Sequence, residues 1–277
     1  MKGRQVSNLG ELWDREVHFA EDECRLWRLG PCRFWIERRR GEWRVAFEEP
    51  GTPERSRSAR AAGEIEAGAI AVPPADLSWL RFVAGGQGEI VVRPALPDRP
   101  VIVRPRSPVA ILPGRSARFF VRIPAWVSIV AAHGERREIL IQRPVVRLSN
   151  TWFGEPDNGE LCYAFASPLA ASPAEAESTP FTVVCPVAIR NEAAEPLDFQ
   201  RLCVRVQYLS LYAGEESLAT NEVIFHYRGA DQSSQITFHE GPPDFEREMR
   251  RLSGPQVSPS KNLIQKSFEY IKSLTTY

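Results

Sequence analysis

Residues 199–227, FQRLCVRVQYLSLYAGEESLATNEVIFHY, decide the fold. Leu202, Val204, Val206 and Tyr208 alternate with Arg201, Cys203, Arg205 and Gln207, and that period of two belongs to a strand with one core face and one at least partly wet face. Val223, Phe225 and Tyr227 repeat the alternation after GEES, so the two runs are expected to pair or to lie close in one sheet. No comparable helical period occurs in this stretch.

The same pattern extends in both directions. CRFWIERRRGEWRVAFEE alternates on either side of Arg40-Gly41 and reads as a β-hairpin. Short extended pieces follow from residue 64 onward, among them EIVVRP, PVIVRP, ARFFVRI, WVSIVA and REILIQ, punctuated by proline and glycine. Pro113-Gly114 and Gly134 mark connections expected to join adjacent antiparallel strands. PGTPERSRSARAAG and ASPLAASPAEAESTP are poor in large apolar groups and read as surface excursions.

The end of the chain differs. In SPSKNLIQKSFEYIKSLTTY, Ile264, Phe268 and Ile271 fall at helical intervals beside Leu263, Ser267, Tyr270 and Leu274, which predicts a short C-terminal helix capped by Ser258 or Ser260. The fold class is therefore mainly β: an antiparallel β-sandwich, as two β-rich domains over residues 1–144 and 145–277 or as one extended sandwich, with a short terminal helix.

Composition is that of a folded protein. The 277 residues are 43% hydrophobic and 25% charged, enough to bury a core without disulfides or metal. The formal charge is zero, yet residues 1–144 hold 24 basic against 18 acidic residues and residues 145–277 hold 11 against 17. Such polarity suits the pairing of subunits or guidance of a charged partner. No apolar run is long enough for a secretion signal or a membrane span, so the expected location is the cytoplasm, without membrane insertion. Cys24, Cys32, Cys162, Cys185 and Cys203 are odd in number and include no CxxC pair, which favours reduced structural thiols over disulfides or a cysteine zinc site.

The most distinctive local stretch is TWFGEPDNGELCYAF, residues 151–165. Asp157-Asn158-Gly159 is a favourable turn, and a sheet corner explains nearly every residue. As a site, Trp152 supplies an aromatic platform while Glu155, Asp157 and Glu160 bind a polar ligand, a cation or a basic peptide. Arg38, Arg39, Arg40 and Arg44, with Arg55, Arg57 and Arg60 beyond them, form a basic surface beside Trp35 and Trp43. Interleaved glutamates favour a mutually paired face over a nucleic-acid surface. His18, His133, His226 and His239 match no HExxH pattern, and no metal site or cofactor is expected, although His226 and His239 with Glu240 merit inspection in three dimensions. GGQG at residues 85–88 enters a strand instead of a helix and reads as a turn. GxSxG and GxxxxGK[ST] are absent.

TWFGEPDNGELCYAF together with RLCVRVQYLSLYAGEESLATNEV resembles an uncharacterised prokaryotic family, known especially from archaea, that carries domain-of-unknown-function 432. The resemblance is clearest from Val145 to Tyr227 and implies no enzyme mechanism. The expected function is a non-catalytic protein-interaction or assembly module that binds itself or another protein. The alternative is a small-ligand or carbohydrate-binding sandwich centred on the Trp152 turn. A hydrolase assembled from distant His, Cys and acidic side chains ranks below both.

Overall fold

In the computed structural model the described residues are 9–48, 65–83, 88–105, 107, 109–167, 169–176, 179–230, 232–259, 263–265 and 267–269. The expected loop at 50–63 with Arg55, Arg57 and Arg60, most of GGQG, the cap candidate Ser260, and Tyr270, Ile271 and Leu274 lie outside or almost outside them.

One helical turn, α1 (Leu9–Leu12), precedes β1 (Glu16–His18), β2 (Cys24–Leu29), β3 (Cys32–Arg39), β4 (Glu42–Phe47), β5 (Ile65–Ile70), β6 (Trp79–Phe82), β7 (Glu89–Ala95) and β8 (Val101–Val103). Then come β9 (Val109–Ile111), β10 (Ser116–Pro124), β11 (Trp126–His133), β12 (Arg136–Pro144), β13 (Ser149–Phe153), β14 (Glu160–Phe165), β15 (Thr182–Asn191) and β16 (Leu197–Phe199). The remainder are β17 (Arg201–Val204), β18 (Leu211–Ala213), β19 (Leu218–Thr220), β20 (Val223–Tyr227), β21 (Ser234–Phe238), β22 (Arg250–Ser253), β23 (Leu263–Gln265) and β24 (Phe268–Glu269). The protein is β-rich and sandwich-like.

Contacts divide the chain into two compact units, residues 1–95 with 124–147 and residues 96–123 with 148–277. The expected domains, 1–144 and 145–277, are continuous runs, whereas these units interleave. The excursion 96–123 groups with the second unit because β8 pairs with β14 and β17, and β9 with β16. Such partners lie too far along the chain for local pattern to announce them.

The first unit holds a five-stranded sheet, β5-β2-β3-β4-β6, and a four-stranded sheet, β1-β7-β11-β12. The expected hairpin is β3–β4, with Arg39 opposite Glu42 and Gly41 at φ +76°, a backbone angle that residues with a Cβ rarely adopt. Alternation drives Phe34 and Ile36 inward. Phe34 stacks on Trp27 at 5.6 Å, and Phe19 meets the edge of Trp43 at 5.2 Å.

In the second unit β13-β14-β8-β17-β24 form one sheet, and β15 is the centre of another that includes β10 and β18 to β23. Both are mixed, not purely antiparallel: β14 runs parallel to β8, and β15 parallel to β19 and β20. Three further expectations change. The runs around Val204 and Phe225 belong to different sheets. Pro113-Gly114 connects β9 to β10, whose partners are β16 and β15, so that turn is not a hairpin between paired neighbours. Of the stretch expected as a terminal helix, the described residues form strands, Leu263–Gln265 pairing with β21 and Phe268–Glu269 with β17.

Candidate functional site

Hairpin β13–β14 carries the turn singled out in the sequence. Trp152 stands opposite Leu161, and Phe153 opposite Glu160, so alternation sends Trp152 and Glu160 to opposite faces of the sheet. Trp152 is 46% exposed and its indole Nε1 donates to the Glu155 carbonyl at 2.9 Å. The ring lies over Gly159, where a Cβ would sit 2.3 Å from Nε1. Glu155 and Asp157 are exposed on the turn. Glu160 faces inward and accepts a hydrogen bond from Arg205 Nη2 at 2.5 Å, beneath an arginine whose side chain is only 4% exposed. The structure therefore brings Trp152 and Glu155 together and separates both from Glu160.

The inward face continues on β17. Cys203 and Arg205 are buried while Arg201 and Gln207 keep partial exposure, so the alternate face is wet only at its ends, and Val206–Tyr208 is a 3-10 turn instead of strand. Arg201 Nη2 donates to Thr151 Oγ1 at 3.1 Å and to the Trp152 carbonyl at 2.8 Å. Because β14 and β8 lie between β13 and β17, that reach requires the sheet to curl. Ile102, Phe153, Cys162 and Cys203 pack in the hollow. One oxygen of Glu160 and the sulfurs of Cys162 and Cys203 lie within 4.8 Å of one another. Burial, followed by the neighbouring Cys162 thiol, holds Cys203 well above the ordinary thiol value. Sequence reasoning missed this trio because Cys203 reaches the other two only through the curl. The one local signal was Glu160-x-Cys162, two positions on the same strand face.

A second feature lies in the sheet around β15. Val183 pairs with Leu218 and Val187 with Val223, both in parallel ladders. Only Asn221 and Glu222 separate β19 from β20, a span too short to cross to the other side of β15, so the two strands form one rail along a single edge. On the far side of that rail β18 pairs with β19 and β21 pairs with β20. These partners diverge at Asn221 and leave a fork. Asn221 is buried and closes it: its Oδ1 accepts from the Ser210 N–H at 2.8 Å and its Nδ2 donates to the His239 carbonyl at 2.9 Å.

The fork opens into a concavity of about 510 Å³ whose lining includes Tyr208, Tyr212, Phe238, His239, Glu240 and Arg251. Tyr208 and Phe238 form an aromatic wall, with ring centroids 5.8 Å apart. The polar ends of the Tyr208, Tyr212, His239 and Arg251 side chains make no hydrogen bond to another described residue. Sequence reasoning noticed His239 with Glu240 but paired them with His226. His226 is engaged elsewhere, with Nδ1 2.6 Å from Glu192 Oε1. Tyr208, Tyr212 and Arg251 were missed, and only the ladder split reveals them.

The basic hairpin is internally compensated. Arg39 pairs with Glu37 at 2.7 Å and Asp22 at 2.8 Å, Arg44 with Glu42 at 2.6 Å, and Arg38 Nη1 donates to the Phe19 carbonyl at 2.7 Å. Hydrogen bonds from Arg81 and then Arg44 hold the Glu42 carboxyl below its ordinary range. Arg40 is exposed, while Trp35 and Trp43 are buried and offer no ring face to a base.

All five cysteines are free and buried. Burial raises Cys24 to about 11 and Cys32 and Cys185 to about 12, which keeps these thiols protonated and poor nucleophiles. No helix among the described residues is long and apolar enough to cross a membrane. The family model described as Protein of unknown function (DUF432) matches residues 13–272. Comparison with curated proteins and with solved structures finds no match.

Proposed function

The chain belongs to the DUF432 family, and from that premise we propose that it works by binding and not by catalysis, holding a small polar ligand in the fork at Asn221. The observation that carries this reading is the cluster of uncommitted polar ends, Tyr208, Tyr212, His239 and Arg251, around a concavity of about 510 Å³. Ligand sites combine an apolar wall with a few convergent polar groups. Here Tyr208 and Phe238 give the wall, while a guanidinium, an imidazole and two phenols give donors. Arg251 is the cation of the lining and Glu240 its carboxylate, so the fitting ligand offers a carboxylate or phosphate to Arg251, a donor to Glu240 and a flat ring to the wall. Buried, protonated thiols support binding over thiol catalysis. Free cysteines also support a reducing compartment such as the cytoplasm.

The test is a thermal-shift screen of the full chain against sugar phosphates, nucleotides and ring-bearing carboxylates, followed by calorimetry of any hit. Arg251→Ala is expected to weaken binding at least tenfold, equivalent to about 1.4 kcal/mol. Tyr212→Phe, which removes one hydroxyl, is expected to weaken it several-fold. If every compound binds wild type and Arg251→Ala equally, or none binds, this reading fails.

A second reading, an assembly or protein-interaction module, is supported by β12. It is nine residues long, lies at the end of its sheet and exposes 63% of Ile139. An open edge of that length is a template for another strand. The Trp152 turn, with one exposed ring and two exposed carboxylates, makes a weaker ligand platform than the fork.

A further inference from the structure

We propose that Glu160, Cys162 and Cys203 bind a thiophilic divalent cation, with Zn2+ as the type, in the hollow of the curled sheet. This site shares no residue with the fork, so its failure would leave the ligand reading untouched.

The placement comes from the fold. Glu160 and Cys162 share the inner face of β14, and Cys203 comes from β17 across the intervening β8. Their donor atoms lie within 4.8 Å of one another. In a tetrahedral zinc site with bonds of about 2.0–2.3 Å, neighbouring ligand atoms stand roughly 3.3–3.8 Å apart. Side-chain rotation of about an ångström closes the difference without moving a strand. Two sulfurs select a soft or borderline metal over magnesium or calcium. Three protein ligands leave a fourth position for water, and the Glu160 side chain, 36% exposed, supplies an opening to solvent.

Arg205 at first argues against a cation. Its guanidinium is buried beside Glu160 and makes an ion pair with it. The charge balance reverses that objection. Binding displaces the two thiol protons to water, and the resulting two thiolates and a carboxylate carry three negative charges, which a dication and one guanidinium cancel, so the loaded site is neutral in a place where net charge is costly. A carboxylate has lone pairs for both a guanidinium and a metal. The Arg205 hydrogen bond also fixes the orientation of Glu160, as outer partners of metal ligands do. Apolar packing against Ile102 and Phe153 accounts for the two thiols and the Arg205 pair accounts for the carboxylate, each taken singly; the metal accounts for the convergence of all three donor atoms within 4.8 Å.

The experiment uses the full chain, stripped by a chelator and titrated with Co2+. One equivalent is expected to produce the sulfur-to-cobalt charge-transfer absorption of a two-thiolate site, and one equivalent of Zn2+ to remove it. Cys162→Ser and Cys203→Ser are expected each to weaken Co2+ binding at least a hundredfold, while Cys185→Ser leaves the titration unchanged. Glu160→Gln keeps the charge-transfer band and weakens binding about tenfold. Where a serine variant does not fold, wild type alone decides: Zn2+ must slow alkylation of Cys162 and Cys203, located by peptide mass, and leave the rate at Cys185 unaltered. Absence of the band in wild type, or equal alkylation with and without Zn2+, overturns the proposal.

Discussion

Gly159 shows how tightly the β13–β14 turn is built. A methyl group there would meet the Trp152 indole nitrogen at 2.3 Å and the Phe153 carbonyl at 2.6 Å, and the second of these is backbone that cannot swing aside. Gly159→Ala is therefore expected to destabilise the protein by about 1–3 kcal/mol. It should also displace the indole from its turn, seen as a red shift of tryptophan emission beside a lower denaturant midpoint. An unchanged midpoint would mean that the turn relaxes freely. At this scale the sequence was partly legible. A turn around Asp157-Asn158-Gly159 follows from counting along the chain, whereas the sequence alone groups Trp152 and Glu160 in one site, and only the register of Trp152 with Leu161 sends them to opposite faces. What counting misses is Arg205, 45 positions from Glu160 along the chain. Its burial depends on the curl, and an arginine on the alternate face of a strand ordinarily points to water.

Phe268 ties the last described strand to the core. It is 3% exposed and meets Phe199 at 5.3 Å, Phe225 at 5.8 Å and Tyr227 at 5.9 Å. Truncation to alanine removes a ring from the centre of an aromatic cluster, at an expected cost of about 3–5 kcal/mol. Urea unfolding of Phe268→Ala checks it; a loss below about 1 kcal/mol would show that β24 is peripheral. The sequence was misleading here for a physical reason. Ile264 and Phe268 are spaced as on a helix, and β23 and β24 are too short, at three residues and two, to display alternation of their own. Ser267, buried with its Oγ donating to the Gln265 carbonyl, stands between the two strands. Long strands were legible: β3 and β4 follow their alternation, and the hairpin sits where Arg40-Gly41 indicated. Short strands gain their identity from partners, and those lie far away in sequence.

For the whole molecule, the interleaving of residues 96–123 with 148–277 is the part of the organisation that local pattern did not convey. Charge and periodicity are summed along the chain, whereas strands such as β8 choose neighbours across it. The fork belongs to this class, since neither β18 nor β21 looks unusual alone. Assembly is also decided at this scale. If β12 pairs with a second copy, light scattering of the full chain should report a dimer, and Ile139→Lys, which places a charge on the open edge, should return it to a monomer. A wild-type mass equal to one chain at high micromolar concentration would remove the assembly reading.

The divided rail formed by β19 and β20 has one more consequence. Each of its two outer ladders is anchored independently, β18 on residues 218–220 and β21 on residues 223–226. Residues 239–249, which connect β21 to β22, span the gap between the ladders and are pinned to the sheet at Asp244 by Arg118, at Phe245 by Phe120 and at Glu246 by Ser217. Local opening at one ladder need not propagate to the other, so amide exchange is expected to differ between β18 and β21, with the three pinned side chains holding the bridge between them in place.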